Sequence, residues 1–440
     1  MKKSLIFILS ILIIFVVLFH NDHIRINIMT RLVFLRGLVS PNCFWYKISD
    51  MFFSDGSGIN IYNKLKREYG NFAKVNVFNT DFYLVTNINH IKFILNNSPD
   101  LFNVGSLKKK LFSTFMSKNV GVSSGCPWKK RREINDYALD NNKVHRYGGL
   151  YNNYMDKLTK FNYKEIDFEK FRNMGREIMA RIIFNTKISN INEDVLNLFS
   201  EANKISSLYK RLKIDNKIYN NYKNTIYHYL NNPNKHSLIS LCLQNSQNKE
   251  EVFHQIPHFI FPIAGLFITT IPRLLCLLCN HLDVFQELIL EVNNNSVFDL
   301  KYMRKCILET LRLNSPVISM FRTLEQDISF DEKNKFKKGT QFLILTNPVL
   351  RTKEKYINHN EYIPERWDSK LEDSYYSISF SQGPQKCPGK ELAIFLVASF
   401  TYNLIKNNKL NITNFKCNKK LDKKNILQVI NPCDLVFYIN

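Results

Sequence analysis

The sequence predicts a mainly α-helical protein with a small β-sheet subdomain, and three observations carry that prediction. Helical apolar spacing runs through most of the chain as far as about residue 325. Strand-like runs are confined to KVNVF (74–78) and DFYLVT (81–86) early on and to the strand–turn stretch KKGTQFLIL (337–345) late. A long helix-forming run, ELAIFLVASF (391–400), closes the pattern. Taken in order, IYNKLKREYG reads as a helix ending near Gly70, and Asn79 and Thr80 form the turn between the two early strands. The middle third is rich in Asn and Lys, with polar connections at NEDV and NNPNKH. No repeat period is visible.

Composition fits a globular chain: 440 residues, 45% apolar and 22% charged. Length alone allows two or three domains, although one helical fold can absorb it. Lys and Arg number 61 against 38 Asp and Glu, a formal net charge of +23. Nucleic acid, an anionic membrane surface or an acidic protein partner would each match that balance. The lysines are spread along the chain beside an excess of Asn and Ile, the pattern of a compositional bias, and no nucleic-acid partner is expected. Nine cysteines are scattered, and Cys276 with Cys279 is the one CxxC. Without a second pair at zinc spacing, zinc is not expected, and a reduced cytosolic setting follows.

Leu5 to Phe19 is apolar apart from Ser10 and follows Lys2 and Lys3. At about 1.5 Å per residue it spans roughly 22 Å, short of the roughly 30 Å hydrocarbon layer. A cleaved signal peptide tolerates such a length, but LFHNDHIR offers no small-residue cleavage site. The expectation is a membrane anchor over 1–24, a linker over 25–54 and one domain over 55–440. Arg25, Arg31 and Arg36 favour a cytosolic main domain, while Lys2 and Lys3 pull the other way.

Candidate chemistry concentrates in FSQGPQKCPGKELA (380–393). Cys387 stands just before a helix, where the dipole and unpaired N–H groups lower a thiol pKa. Gly383 and Gly389 permit tight turns around the sulfur, and Phe380 can cover the sulfur side of a flat cofactor. Upstream, Glu309 and Arg312 in ILETLRLNSP lie three apart on one helix face. Taken singly such a pair is most often an exposed salt bridge. YIPERW (362–367) adds Arg366, and Trp128 and Arg132 lie four apart after a Gly-containing stretch.

These elements, in this order, resemble those of the cytochrome P450 family over about residues 55–440. The resemblance implies the P450 fold and a haem b (iron protoporphyrin IX) whose iron is bound by the Cys387 thiolate. It further implies propionate contacts from Trp128, Arg132 and Arg322, and a structural cluster of Glu309, Arg312 and Arg366 that fixes the loops around the haem. Thiolate ligation favours O–O cleavage at haem iron. A separate flavin or iron–sulfur reductase, a small lipophilic substrate and an endoplasmic-reticulum-type location also follow from it, with a basic face including Lys386 and Lys390 toward the reductase.

Two departures matter. Position 385, usually basic in the family, is Gln385. In PIAGLFITTIPRLL (262–275), alignment on Ala264 and Gly265 puts Phe267 at the family's acid position and Ile268 at its Thr position. Thr269 lies one step late, about 100° around a regular helix, so Thr269 and Thr270 are the candidates for proton delivery. The alternative is that both simply bond to the preceding turn. Pro272 removes a helix donor from the Ile268 carbonyl and predicts a local break there. The expected activity is monooxygenation of a lipophilic molecule. A reductase-independent isomerase or dehydratase of lipid hydroperoxides, and a non-catalytic haem-binding protein, are the alternatives.

Overall fold

The computed structural model describes residue 43 and residues 58–77, 80–106, 108–109, 112, 116–196, 198 and 215–440. The expected anchor, the linker apart from Cys43, and Asn79 of the expected turn lie outside the described residues. Helix α1 (Ile59–Tyr69) precedes a hairpin of β1 (Phe72–Val77) and β2 (Thr80–Val85), then α2 (Ile88–Asn96) and β3 (Phe102–Val104). The helical body follows: α3 (Gly125–Leu139), α4 (Gly148–Thr159), strand β4 (Glu165–Ile166), α5 (Phe168–Phe184), α6 (Asn216–Asn231) and α7 (Leu238–Asn245). It continues with α8 (Pro257–Gly265), a π turn (Leu266–Thr270), α9 (Ile271–Asn280), α10 (Leu282–Asn294) and α11 (Lys301–Leu313). Strands β5 (Ser319–Leu324), β6 (Ile328–Ser329), β7 (Lys335–Phe336) and β8 (Gln341–Leu345) come next. Helix α12 (Lys390–Asn407), β9 (Phe415–Cys417) and β10 (Phe437–Ile439) complete the order.

The predicted class holds, and its details shift. Helix α1 ends where expected, with the Gly70 N–H donating to the Lys66 carbonyl. Thr80, expected in the turn, is already the first residue of β2. Helical structure stops at Leu313 rather than near 325, because SMFRTL pairs as β5. The sheet is not an N-terminal unit: its order is β1-β2-β8-β5-β3, and β2 meets β8 in parallel through Tyr83 opposite Phe342. An early hairpin thus acquires its buried face from strands contributed more than 200 residues later, around Phe72, Phe102, Leu95 and Phe342.

The larger core is helical and is organised by the central run from α8 to α9. Lys249–Asn280 is long and apolar enough to cross a membrane by composition, with a mean hydropathy of 1.9, but its most apolar window is 72% buried inside the protein. It is a core element. Local signals start the surrounding helices: Asp167 caps α5 at the Lys170 N–H, Asp215 caps α6, and Ser237 caps α7. Gly175 in α5 lets the central helix approach closely. A methyl group there would lie 2.8 Å from Phe267 Cβ and 3.0 Å from the Ala264 carbonyl oxygen.

Cys43 and Cys433 form a disulfide with Cα atoms 5.5 Å apart, so the expectation of uniformly reduced cysteines fails at this pair. The seven other cysteines are free.

Candidate active site

The Cys387 segment is a short loop pressed against α2 and closed on itself. The Cys387 N–H donates to the Phe380 carbonyl at 2.8 Å, and the Lys386 N–H donates to the Gly383 carbonyl at 3.0 Å. Gly383 takes φ +73°, and a Cβ there would lie 2.3 Å from the Leu95 carbonyl oxygen, so glycine is required twice over. Gly389 has a different role from the one expected. Its φ is −98° and an added Cβ would meet Leu139 at an ordinary 3.6 Å; it serves as the cap residue of α12, and its backbone N–H donates to the Cys387 sulfur. Phe380 is partly buried against the main core.

The expected lowering of the Cys387 pKa does not occur. Burial pushes the thiol up and outweighs the Gly389 amide and the Arg132 charge, which work in the opposite direction. Helix position was legible in sequence, whereas the burial that opposes it was not. Metal ligation removes a thiol proton irrespective of that balance.

Glu309 and Arg312 are both 0% exposed, which rules out the surface salt bridge. Arg312 donates Nε and Nη2 to the two Glu309 oxygens at 2.8 Å each, the bidentate geometry that binds carboxylates best. Arg366 Nε donates to Oε1 at 3.0 Å and the Ile363 N–H to the same oxygen at 3.0 Å. Trp367, which the sequence reading left without a role, donates its indole N–H to Oε2 at 2.8 Å. Remaining guanidinium N–H groups reach the carbonyls of Leu350, His359, Glu361, Ile357 and Asn358, fixing the segment before the Cys387 loop. Burial works to raise the Glu309 pKa, but Arg312, Arg366 and the Ile363 amide overcome it and hold the carboxyl below its usual range.

Arg132 links α3 to the cysteine loop. Its Nη1 donates to the Lys386 carbonyl at 2.6 Å and to the Pro384 carbonyl at 3.4 Å, while Nε donates to Asp136. Trp128 lies one turn earlier on the same helix and is half-buried. Arg322, on β5, is buried with Nε donating to Ser98 and Nη1 to its neighbour's carbonyl. No carboxylate faces it among the described residues, and burial alone pushes its pKa down to about 10. Lys108 and His258 join this group although no sequence pattern marked them. Gln385 is half-buried and has no hydrogen-bond partner among the described residues.

Protein surrounds the Arg322 and Lys108 cations without a carboxylate among the described residues, while burial pushes His258 down to about 4 and leaves it a neutral imidazole. Arg322 and Lys108 therefore fit an anionic group, as the two carboxylates of a haem would be.

The central helix departs from α geometry at the anticipated place. Pro272 has no N–H to offer Ile268, and a π turn forms just before it, in which the Ile271 N–H donates to the Leu266 carbonyl. A π turn inserts one extra residue, so the one-step lag of Thr269 is absorbed. His258, Pro262, Ala264, Gly265, Leu266 and Thr269 keep surface on an otherwise buried helix, Pro262 the most exposed of them. Thr269 Oγ1 donates to the Gly265 carbonyl at 2.7 Å. Thr270 is 2% exposed and lies off that surface, while Phe267 packs against Gly175 and Phe400. Lys390, expected on a free basic face, pairs instead with Glu372 at 2.7 Å, and Arg304 binds both Glu372 and Glu391. Lys129, Lys130 and Lys386 remain exposed.

Comparison with known proteins agrees with this geometry. The Cytochrome P450 family model matches residues 159–437, and the chain belongs to that family. Haem-thiolate is the family's cofactor class. A probable cytochrome P450 515A1 of Dictyostelium discoideum is 21% identical over 78% of this chain and 81% of its own. Cytochrome P450 4d2 of Drosophila melanogaster is 26% identical over 41% of this chain and 39% of its own. (21S)-21-Acetyl-1-hydroxy-apo-melianone synthase of Melia azedarach is 33% identical over 27% of this chain, and the match spans 24% of that relative.

Proposed function

We propose that the chain is a haem-thiolate monooxygenase acting on a lipophilic small molecule, with residues 55–440 as one haem domain carried by an anchor over 1–24. Cys387 would hold the iron of haem b, with Trp128, Arg132 and Arg322 toward the propionates. Phe380, Gly383 and Gly389 would shape the loop, and Glu309, Arg312 and Arg366 would fix it. The observation that carries the reading is Arg132, whose guanidinium binds the loop on the N-terminal side of Cys387 while α3 also presents Trp128. When bound, the haem-thiolate supplies the iron at which dioxygen is reduced and one oxygen atom passes to substrate. Electrons come from a separate flavin or iron–sulfur reductase, for which exposed Lys129, Lys130 and Lys386 offer an acidic partner a docking face. The location follows the same proposal, an endoplasmic-reticulum-type membrane.

Within the chain, Thr269 holds a proton at Oγ1 by donating to Gly265, and the π turn keeps that hydroxyl on the part of the helix that retains surface. Thr270, buried away from that surface, has a packing role. No acid precedes Thr269, since Phe267 and Ile268 are buried apolar residues, so protons must arrive through water. That absence is also the observation favouring a second reading, isomerisation or dehydration of lipid hydroperoxides without reductant. Reconstitution with a reductase decides between them. Monooxygenation predicts product formation with Thr269→Ala diverting several-fold more electrons to hydrogen peroxide, and Thr269→Ser near wild type. Rapid turnover of a fatty-acid hydroperoxide by pure protein without reductant would replace the first reading with the second.

A further inference from the structure

The CxxC at the end of α9 meets a third cysteine. Cys276 and Cys279 lie three apart, on one face of that helix. Strand β9 alternates, with Phe415 and Cys417 buried and Lys416 exposed, so its cysteine is delivered inward. The Cys276 thiol donates to the Cys417 sulfur, and Cys279 lies close enough for its charge state to depend on Cys417. Asn280, the last residue of α9, fastens this contact. Its Nδ2 lies 3.9 Å from Cys276 Sγ and donates to the Lys419 carbonyl at 3.0 Å, while its Oδ1 accepts from the Leu421 N–H at 3.0 Å. One turn before Cys276, Arg273 donates to the Ile430 carbonyl at 2.9 Å and ties the same helix to the C-terminal chain a second time.

The sulfurs have unequal surroundings. Cys417 accepts from the Cys276 thiol and from the Lys419 N–H at 3.5 Å, with the Lys419 and Lys420 charges nearby. Together these outweigh burial and hold the Cys417 pKa below the usual thiol value. Asn418 Oδ1, 3.6 Å from the Cys417 sulfur, accepts from the protonated thiol and opposes the thiolate. The hydrogen bond to Cys417 and burial push Cys276 well up, and burial pushes Cys279 up as well. Cys417 keeps 7% of its surface and Cys276 none, so a small oxidant entering from solvent meets Cys417 first.

We propose that Cys417 and Cys276 form a peroxide-reactive dithiol whose product is a disulfide between β9 and α9. The Cys417 thiolate attacks one oxygen of a hydroperoxide, the O–O bond breaks, and the leaving hydroxide or alkoxide takes a proton from solvent. The resulting Cys417 sulfenic acid forms an S–S bond with Cys276, and the Cys276 thiol proton leaves with the sulfenic hydroxyl as water. Two thiols thereby lose two electrons and two protons, and the hydroperoxide is reduced to water and an alcohol or a second water. No group of the Cys387 loop takes part.

The test treats full-length protein with a small excess of hydrogen peroxide, denatures it in iodoacetamide and digests it without reductant. Mass spectra then map the joined peptides, and fragment spectra separate Cys276 from Cys279. The expected product is a Cys276–Cys417 pair, lighter by two hydrogens than its free peptides, absent before peroxide and removed by dithiothreitol. It should form about tenfold faster than the exposed thiol of Cys126 is oxidised. In Cys276→Ser, dimedone should capture the Cys417 sulfenic acid, and in Cys417→Ser the Cys276 thiol should be recovered alkylated. A Cys279–Cys417 pair in the wild type, or free Cys276 and Cys417 after Cys126 has reacted, overturns the proposal. The wild-type map needs no variant, so misfolding of either serine variant leaves that outcome readable.

Discussion

Two groups of buried charge flank the cysteine loop, and they are built on opposite terms. Around Glu309 one carboxylate is shared by two guanidiniums, and an indole N–H and a backbone amide also meet its oxygens. Around Lys108 and Arg322 the charges are of one sign, with no carboxylate against them among the described residues and a neutral His258 beside them. Removing a charge from water is costly in both places. At Glu309 the protein compensates within itself, and the result is rigidity. At Lys108 and Arg322 no carboxylate among the described residues supplies such compensation.

That contrast can be broken most severely at Glu309. Glu309→Gln leaves two buried guanidiniums facing a neutral amide, and the expected loss is about 3–5 kcal/mol of stability. Urea unfolding of the holoprotein measures it, and a loss under 1 kcal/mol would mean that the cluster is not structurally required. A smaller effect is expected for Trp367→Phe, which keeps the ring and removes one donor to a charged acceptor, about 1.5–3 kcal/mol by the same measurement.

The pH dependence of the two groups should share a sign and differ in window, because both folded-state pKa values are lowered. Glu309 is held below the usual carboxylate pKa, so the folded state binds fewer protons than the unfolded state. Its stabilisation is full above the unfolded value and is lost as pH falls through the folded one. Lys108 is lowered from 10.5 to about 8, so after haem removal stability should rise with pH across that window as the ammonium loses its proton. Thermal melts of the haem-free protein from acid pH to about pH 11 check this, and Lys108→Met should flatten the alkaline rise while leaving the acid limb of Glu309 in place.

The two groups were also unequally legible in the sequence. Glu309 and Arg312 are read from helical spacing and Arg366 from a short motif, because their geometry is local or carried by a recognisable segment. Trp367 was within reach, since a tryptophan beside that arginine brings a donor that a phenylalanine would lack. Lys108 and His258 were not, for each is a single basic residue whose meaning depends on a strand pairing and a helix approach. The helix that follows Cys387 was legible, but the direction of the thiol pKa was misjudged because the helix end is visible in sequence and enclosure is not. Pro272 marked the break in the central helix correctly, whereas the π turn that realigns Thr269 required the backbone itself. Lys390 looked free until folding placed Glu372 beside it.

The five-stranded sheet sets a timetable for synthesis. Strand β2 emerges early, but its parallel partner β8 is about 260 residues behind it. At roughly 5–20 residues per second that interval is on the order of tens of seconds. Throughout it the β1–β2 hairpin has neither β8 nor the apolar cover that Phe342 provides, and a lone hairpin is marginal in water. The nascent chain must therefore carry an open sheet edge while most of its helices are made, and only the last quarter of the sequence closes it. Cells that translate this message faster, or shield the waiting hairpin with a holdase, should recover more folded protein from the same number of ribosomes.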